Sequence, residues 1–119
     1  MMNIDVEKYN LGTDPSLLLV DDDEPFVRRL SRAMEKRGFT VRTALTVEQG
    51  KQLVENSAPG YAVVDLRLED GSGLEVVELI RTKRPDARII VLTGYGAIAT
   101  AVTAVKMGAT DYLSKPSDA

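Results

Sequence analysis

Four short apolar runs, at residues 17–20, 61–64, 88–92 and 111–113, are separated by stretches whose apolar residues recur with the helical period. This alternation constrains the fold more than any other feature of the chain. A weaker fifth run lies at 39–43. Strands that alternate with helices build βαβ units, whose right-handed crossovers lay helices on both faces of a parallel sheet. The chain is therefore expected to be α/β, with a doubly wound, five-stranded parallel sheet.

The helical stretches carry their own signals. Phe26, Leu30, Ala33, Met34 and Arg37 share one face of a first helix that should end at Gly38, a residue suited to a C-terminal cap. Thr46 with Gln49 three residues later has the form of a capping box, and Val47, Gly50 and Val54 then line a second helix ending before Pro59. A third helix is expected after the Asp70-Gly71-Ser72-Gly73 turn, burying Val76, Val77 and Ile80 and stopping before Pro85. The fourth, over 97–107, is low in charge and apolar around most of its circumference, as a core helix or a partner-binding helix would be.

Residues 1–15 are mixed and turn-rich and read as a leader to a domain spanning 16–119. Only three residues follow Pro116, so the helix that would return over the sheet after the fifth strand is expected to be truncated, leaving one face partly bare. Self-association or covering by the leader would then be favoured.

Composition narrows the chemistry. Among 119 residues there is no Cys and no His, which removes disulfides, thiolate metal sites, the usual general base and the commonest transition-metal ligand. A net charge of −3 argues against this segment gripping a nucleic-acid backbone, so contact with DNA would need another domain, absent from this chain. No run approaches the roughly 20 apolar residues of a membrane span, and no signal-peptide pattern opens the chain. A cytoplasmic location without membrane insertion is expected.

In open parallel sheets, ligands bind beyond the carboxyl ends of the strands. The residues that close the runs are Asp21, Asp22 and Asp23, then Asp65, Thr93 and Lys115. Each has an ordinary explanation taken singly: the acids before Glu24 and Pro25 suit a helix cap, Asp65 a loop, Thr93 a strand and Lys115 solvated surface. Together they are harder to dismiss, because two carboxylates about 4 Å apart repel by about 4 kcal/mol at an effective dielectric near 20 and call for a cation. Oxygen ligands without His or Cys favour a hard ion, and Mg²⁺ on Asp22 and Asp65, with Asp21 nearby, fits best. A carboxylate in such a site can take up a phosphoryl group, with Lys115 and the Thr93 hydroxyl receiving the transferring oxygens and Gly94 allowing close backbone approach.

At this point LLLVDDDEPF, YAVVDLRLEDGSGLE, RIIVLTGYGA and GATDYLSKP resemble, in order, the acidic pair, phosphoacceptor, switch hydroxyl and Lys-Pro segments of response-regulator receiver domains. The resemblance covers about residues 17–116. It implies a flavodoxin-like strand order of 2-1-3-4-5. It also implies Asp21 and Asp22 as the acidic pair, Asp65 as phosphoacceptor and Mg²⁺ ligand, and Arg67 as a backbone-carbonyl ligand. Thr93 then becomes the switch hydroxyl, Lys115 the phosphate-binding lysine, and Tyr112, otherwise an ordinary packing residue, the aromatic switch. A cis peptide at Lys115–Pro116 is implied as well.

The partner would be a sensor histidine kinase, and the domain, no conventional enzyme, would catalyse its own phosphorylation and dephosphorylation. Phosphorylation would draw Thr93 inward, reposition the loop through Tyr95, and bias the face of the fourth helix and fifth strand. Within the family, EDGSGLE, LTGYGAIATAV and VKMGATDYL look most like the redox-responsive PrrA/RegA/ActR group, whose members carry a DNA-binding domain of Fis type and answer to a membrane-bound kinase. Glu69 departs from the family, standing where many members have Pro, and Asp23 is extra to the basic pattern. A rival reading is a phosphatase resembling the haloacid dehalogenases, with Asp21 as nucleophile. A flavodoxin-like binding module ranks below it, since three acids after the first strand would repel an anion.

Overall fold

In the computed structural model, which describes residues 14–94 and 98–115, eleven elements follow one another. They are β1 (Ser16–Val20), α1 (Glu24–Lys36), β2 (Thr40–Ala44), α2 (Val47–Asn56), β3 (Tyr61–Asp65), β4 (Arg67–Leu68), β5 (Gly71–Ser72), α3 (Leu74–Lys83), β6 (Arg88–Thr93), α4 (Ile98–Lys106) and β7 (Asp111–Ser114). Five strands pair in parallel in the order β2-β1-β3-β6-β7. That is the expected 2-1-3-4-5 order once β4 and β5 are set aside.

Those two strands are a correction to the open turn expected at 70–73. They form a small antiparallel hairpin pairing Arg67 with Ser72 and Leu68 with Gly71, with Glu69 and Asp70 at its tip. The Asp70 carboxylate accepts the backbone N–H groups of Val47 (2.9 Å) and Glu48 (3.1 Å) at the start of α2. Those two bonds, Val47's first, hold its carboxyl below the usual aspartate value.

Capping residues set the helix boundaries. Asp23 precedes α1 in extended conformation and accepts the Phe26 N–H (3.2 Å), and Pro25 sits in the first turn, where its missing N–H costs nothing. Beyond the helix Gly38 takes φ 100°, a left-handed conformation that residues with a β-carbon avoid. For α2, Thr46 Oγ1 accepts the Gln49 N–H (3.0 Å) while Gln49 Oε1 accepts the Leu45 N–H (2.9 Å), a reciprocal cap displaced by one residue from the usual form. Gly50 lets α2 lie close to the sheet, since a β-carbon there would already stand 3.3–3.4 Å from the Val20 and Val76 methyls.

The expected face of α1 is off by one position. Val27 is its fully buried residue, Phe26, Leu30, Ala33 and Met34 are half-buried, and Arg37 lies past the helix as an exposed C-cap. The stripe that meets the sheet is centred on Val27, which leaves Phe26 at its margin.

The two faces of the sheet differ. Leu18, Val20, Val64, Ile89 and Val91 meet Val54 of α2, Val76, Val77 and Ile80 of α3, and Ala101 and Ala104 of α4 in one continuous core. Alternation along the strands turns Leu17, Leu19, Val63, Ile90, Leu92 and Leu113 to the other side. There Leu17, Leu19 and Leu92 are buried, Val63 and Ile90 only half-buried, and Leu113 is 58% exposed. Among the described residues α1 alone covers this side. No described helix is long and apolar enough to cross a membrane.

Candidate functional site

Parallel strands bring their carboxyl ends to one edge, and there the chain assembles Asp21, Asp65, Thr93 and Lys115 from β1, β3, β6 and β7. Asp21 lies one residue past β1, with its N–H bonded to the Ala44 carbonyl (3.1 Å) and its Oδ1 accepting the Asp23 N–H (3.0 Å). Asp65 closes β3 opposite Leu92, and its Oδ1 accepts the Arg67 N–H (3.2 Å). Lys115 is fixed through its N–H to the Thr93 carbonyl (2.8 Å).

The lysine side chain ties the acids together. Its Nζ donates to both oxygens of Asp21, at 2.9 and 3.2 Å, and stands 3.5 Å from Asp65 Oδ2. Asp21 and Asp65 are buried, at 2% and 6% exposure, while Asp22 is exposed. One carboxylate oxygen from each of Asp21, Asp22 and Asp65 falls within a 4.8 Å cluster. Three oxygen donors and no imidazole or thiolate suit a hard divalent cation. Thr93, one residue beyond the position paired with Asp65, buries its hydroxyl, and Oγ1 has no hydrogen-bond partner among the described residues. A buried hydroxyl left that way costs about 1–3 kcal/mol, so it is suited to an incoming acceptor.

The remaining expected residues divide. Arg67 reaches Asp65 through its backbone N–H while its side chain is exposed. Tyr112 is half-buried and packs on the core formed with α2, α3 and α4. Asp23 caps α1 and is not one of the three clustered acids. Gly94 stands in open space, with nothing within 4 Å of an added β-carbon, so crowding in this state does not explain a glycine there. Tyr95, Ala97, the Lys115–Pro116 bond and residues 1–13 of the leader lie outside the described residues.

Two contributors escaped the sequence reading. The Phe26 ring lies beneath the Lys115 ammonium, 5.0 Å from ring centroid to Nζ. Gly73, which looked like a turn residue, is pressed against β3: a β-carbon on it would be 2.0 Å from the Asp65 carbonyl oxygen. The glycine-rich DGSG signal marked the second position, though not its reason. Nothing in the sequence pointed to the first.

Charge sets the protonation of the site. Burial lifts the Asp65 carboxyl above the ordinary aspartate value; the Arg67 N–H opposes this, the Asp21 charge adds to it, and Lys115 opposes it again. For Lys115 burial alone would lower the ammonium, but bonding to Asp21 and the charges of Asp65 and Asp21 outweigh it and hold the group above the usual lysine value. Folded Asp65 thus keeps its proton to higher pH than unfolded Asp65. Its contribution to stability is present below the unfolded value and is lost as pH rises through the folded one. In metal-free buffer, the Tm advantage of Asp65→Asn over wild type should grow as pH is raised from about 4, the ordinary aspartate range. A constant difference across a pH series of thermal melts would contradict the raised value.

The family model described as "Response regulator receiver domain" matches residues 17–119, and the chain belongs to that family. The photosynthetic apparatus regulatory protein RegA is 71% identical in Rhodovulum sulfidophilum (over 95% of this chain and 62% of that protein) and 73% identical in Rhodobacter capsulatus (95% and 61%). The acid tolerance regulatory protein ActR of Rhizobium meliloti is 62% identical over 92% of this chain and 56% of that one. The chain thus spans about three fifths of the length of these curated relatives. Among solved structures, a Burkholderia pseudomallei response regulator with a phosphorylated aspartic acid, calcium ion and citrate superposes with a TM-score of 0.79 at 44% identity, covering 87% of this chain and 61% of that one. The beryllofluoride-activated NtrC4 receiver domain dimer gives 0.78 at 34% identity, covering 87% and 86%. The family match leaves the phosphatase reading without support.

Proposed function

We propose that Asp65 is the phosphoacceptor of this receiver domain, and that a sensor histidine kinase is the donor. The observation that carries this is the position of Asp65: a buried carboxylate, within reach of Lys115, inside a cluster of acids able to hold a cation. An Asp65 oxygen attacks phosphorus, a new P–O bond forms, the bond to the donor's leaving atom breaks, and the leaving group departs with the electron pair and takes up a proton. No described group of this chain is a histidine, so protonation of the leaving group falls to the donor.

Lys115 is placed to meet the negative charge that accumulates on the transferred oxygens, and the Thr93 hydroxyl, without a hydrogen-bond partner among the described residues, to donate to one of them. Asp21, Asp22 and Asp65, with the Arg67 carbonyl, would hold Mg²⁺, with Asp22 as a direct ligand. When bound, the ion supplies charge that offsets the crowded acids and the phosphoryl oxygens.

The phosphorylated Asp65 would then draw on Thr93 and reposition Tyr112, altering the surface of α4 and β7, where Val102, Val105 and Leu113 are already exposed. Such a surface suits self-association, and the half-covered side of the sheet offers a second place for it. We assign regulation of transcription in response to a redox signal, and any contact with DNA, to a further domain of a longer cytoplasmic protein, in keeping with the greater length of the curated relatives.

Incubation with acetyl phosphate and Mg²⁺, followed by intact-mass measurement, tests the assignment. Wild type should gain one phosphoryl group, lose that gain in chelator, and show none in Asp65→Asn, while Asp21→Asn should still form the adduct more slowly. An adduct that survives Asp65→Asn and disappears in Asp21→Asn would move the nucleophile to Asp21.

A further inference from the structure

We propose that Phe26 is a positioning residue for phosphoryl uptake, its ring holding the Lys115 ammonium beside Asp65 while Asp21 is shared with a divalent cation. This rests on Asp65 being the acceptor. Two cations have a claim on Asp21, since it is one of the three clustered acids and both its oxygens already accept from Lys115. The lysine's second carboxylate neighbour, Asp65 Oδ2 at 3.5 Å, belongs to the same cluster, so an ammonium held by carboxylates alone would lose its anchors whenever they turned to a metal, and the flexible lysine stem would let it wander.

The ring resolves the conflict. Its face attracts the ammonium through the aromatic quadrupole, yet it offers no oxygen to a hard cation and so does not compete for it. Local structure fixes where the ring stands. The Phe26 N–H is bonded to Asp23 Oδ1, so a single turn of chain sets both the acids after β1 and the ring that faces them. Phe26 is also only half-buried, at the margin of the α1 stripe that Val27 centres, and is therefore not the residue on which core packing chiefly depends.

The test replaces Phe26 with mono-, di- and trifluorinated phenylalanine, which keep the ring's shape while weakening its negative face. Maximal phosphoryl uptake from acetyl phosphate should fall stepwise, reaching a loss of about three- to tenfold with the trifluoro ring. Phe26→Leu should fall similarly, Phe26→Tyr should keep the wild-type rate, and Mg²⁺ affinity by calorimetry should stay unchanged throughout. In metal-free wild type the Lys115 methylene next to the amine should resonate upfield of ordinary lysines through the ring current, and return to the ordinary position in Phe26→Leu.

Equal rates along the fluorinated series, or an unshifted methylene in wild type, would overturn the proposal even with uptake intact. A wild type that takes up no phosphoryl group on Asp65 would instead overturn the acceptor assignment, and this inference with it.

Discussion

Gly73→Ala is expected to destabilise the domain by about 3 kcal/mol, the upper end of ordinary overpacking, and to reduce phosphoryl uptake to a trace. The added β-carbon would lie 2.0 Å from the Asp65 carbonyl oxygen and 2.8 Å from a Val64 methyl, distances no side-chain rotation relieves because the nearer atom is backbone. Gly73 cannot retreat easily either. Its N–H is bonded to the Leu66 carbonyl (3.1 Å), and its own carbonyl accepts from Val76 (3.0 Å) and Val77 (3.1 Å), the first turn of α3. Strain must therefore pass into the end of β3, where Asp65 is held. Urea unfolding reads the first effect and intact mass the second. Gly94→Ala, in open space, is the matched control and should change stability little. A Gly73→Ala protein as stable as wild type would mean that the two segments are further apart than described.

Lys115→Met should lower stability by about 2–3 kcal/mol in metal-free buffer at neutral pH, somewhat below the usual cost of breaking a buried ion pair because the lysine is 20% exposed. Loss of the ammonium leaves Asp21 and Asp65 facing each other with little compensation. Adding Mg²⁺ should therefore stabilise Lys115→Met more than it stabilises wild type, and Asp21→Asn introduced into Lys115→Met should recover much of the loss. Phosphoryl uptake should slow by roughly tenfold or more, since a charge aimed at the transferring oxygens is gone. Denaturant titrations with and without Mg²⁺ check the stabilities. Equal Mg²⁺ stabilisation of both proteins would show that Lys115 does not offset the charge of these acids.

Much of this was legible in the sequence for a physical reason: a strand or helix that must bury one face announces its period. Leu17 to Val20 and Tyr61 to Val64 read as strands because every residue is apolar, as a sheet covered on both faces requires. The site followed from topology, since residues ending parallel strands share an edge. What stayed hidden depended on tertiary contacts. Two-residue strands such as Arg67–Leu68 are too short to have a period. Gly73 differs from any turn glycine only in what lies 2.0 Å away. Phe26 fits a helical stripe, and only the position of Lys115, far along the chain, gives its ring another use. The same stripe misled by one position: counting from Phe26 brought in Arg37, whereas the sheet selects Val27.

The bonds of Asp70 to the start of α2 have a mechanical consequence. The hairpin that begins beside Asp65 is bolted at its tip to the start of α2, the helix packed on β1, β2 and α3, so this flank of the site acts as a fixed jaw. Across from it, β6, α4 and β7 meet through small side chains, with Ala101, Ala104 and Ala109 at the seam, and the described side-chain bonds hold the turn after α4: Arg81 Nε of α3 donates to the Gly108 carbonyl (3.0 Å), and Thr110 Oγ1 accepts the Ile89 N–H (2.9 Å). The two flanks of the site are thus held differently: one is fixed by a carboxylate at the start of α2, the other at the end of α4 that lies away from Asp65.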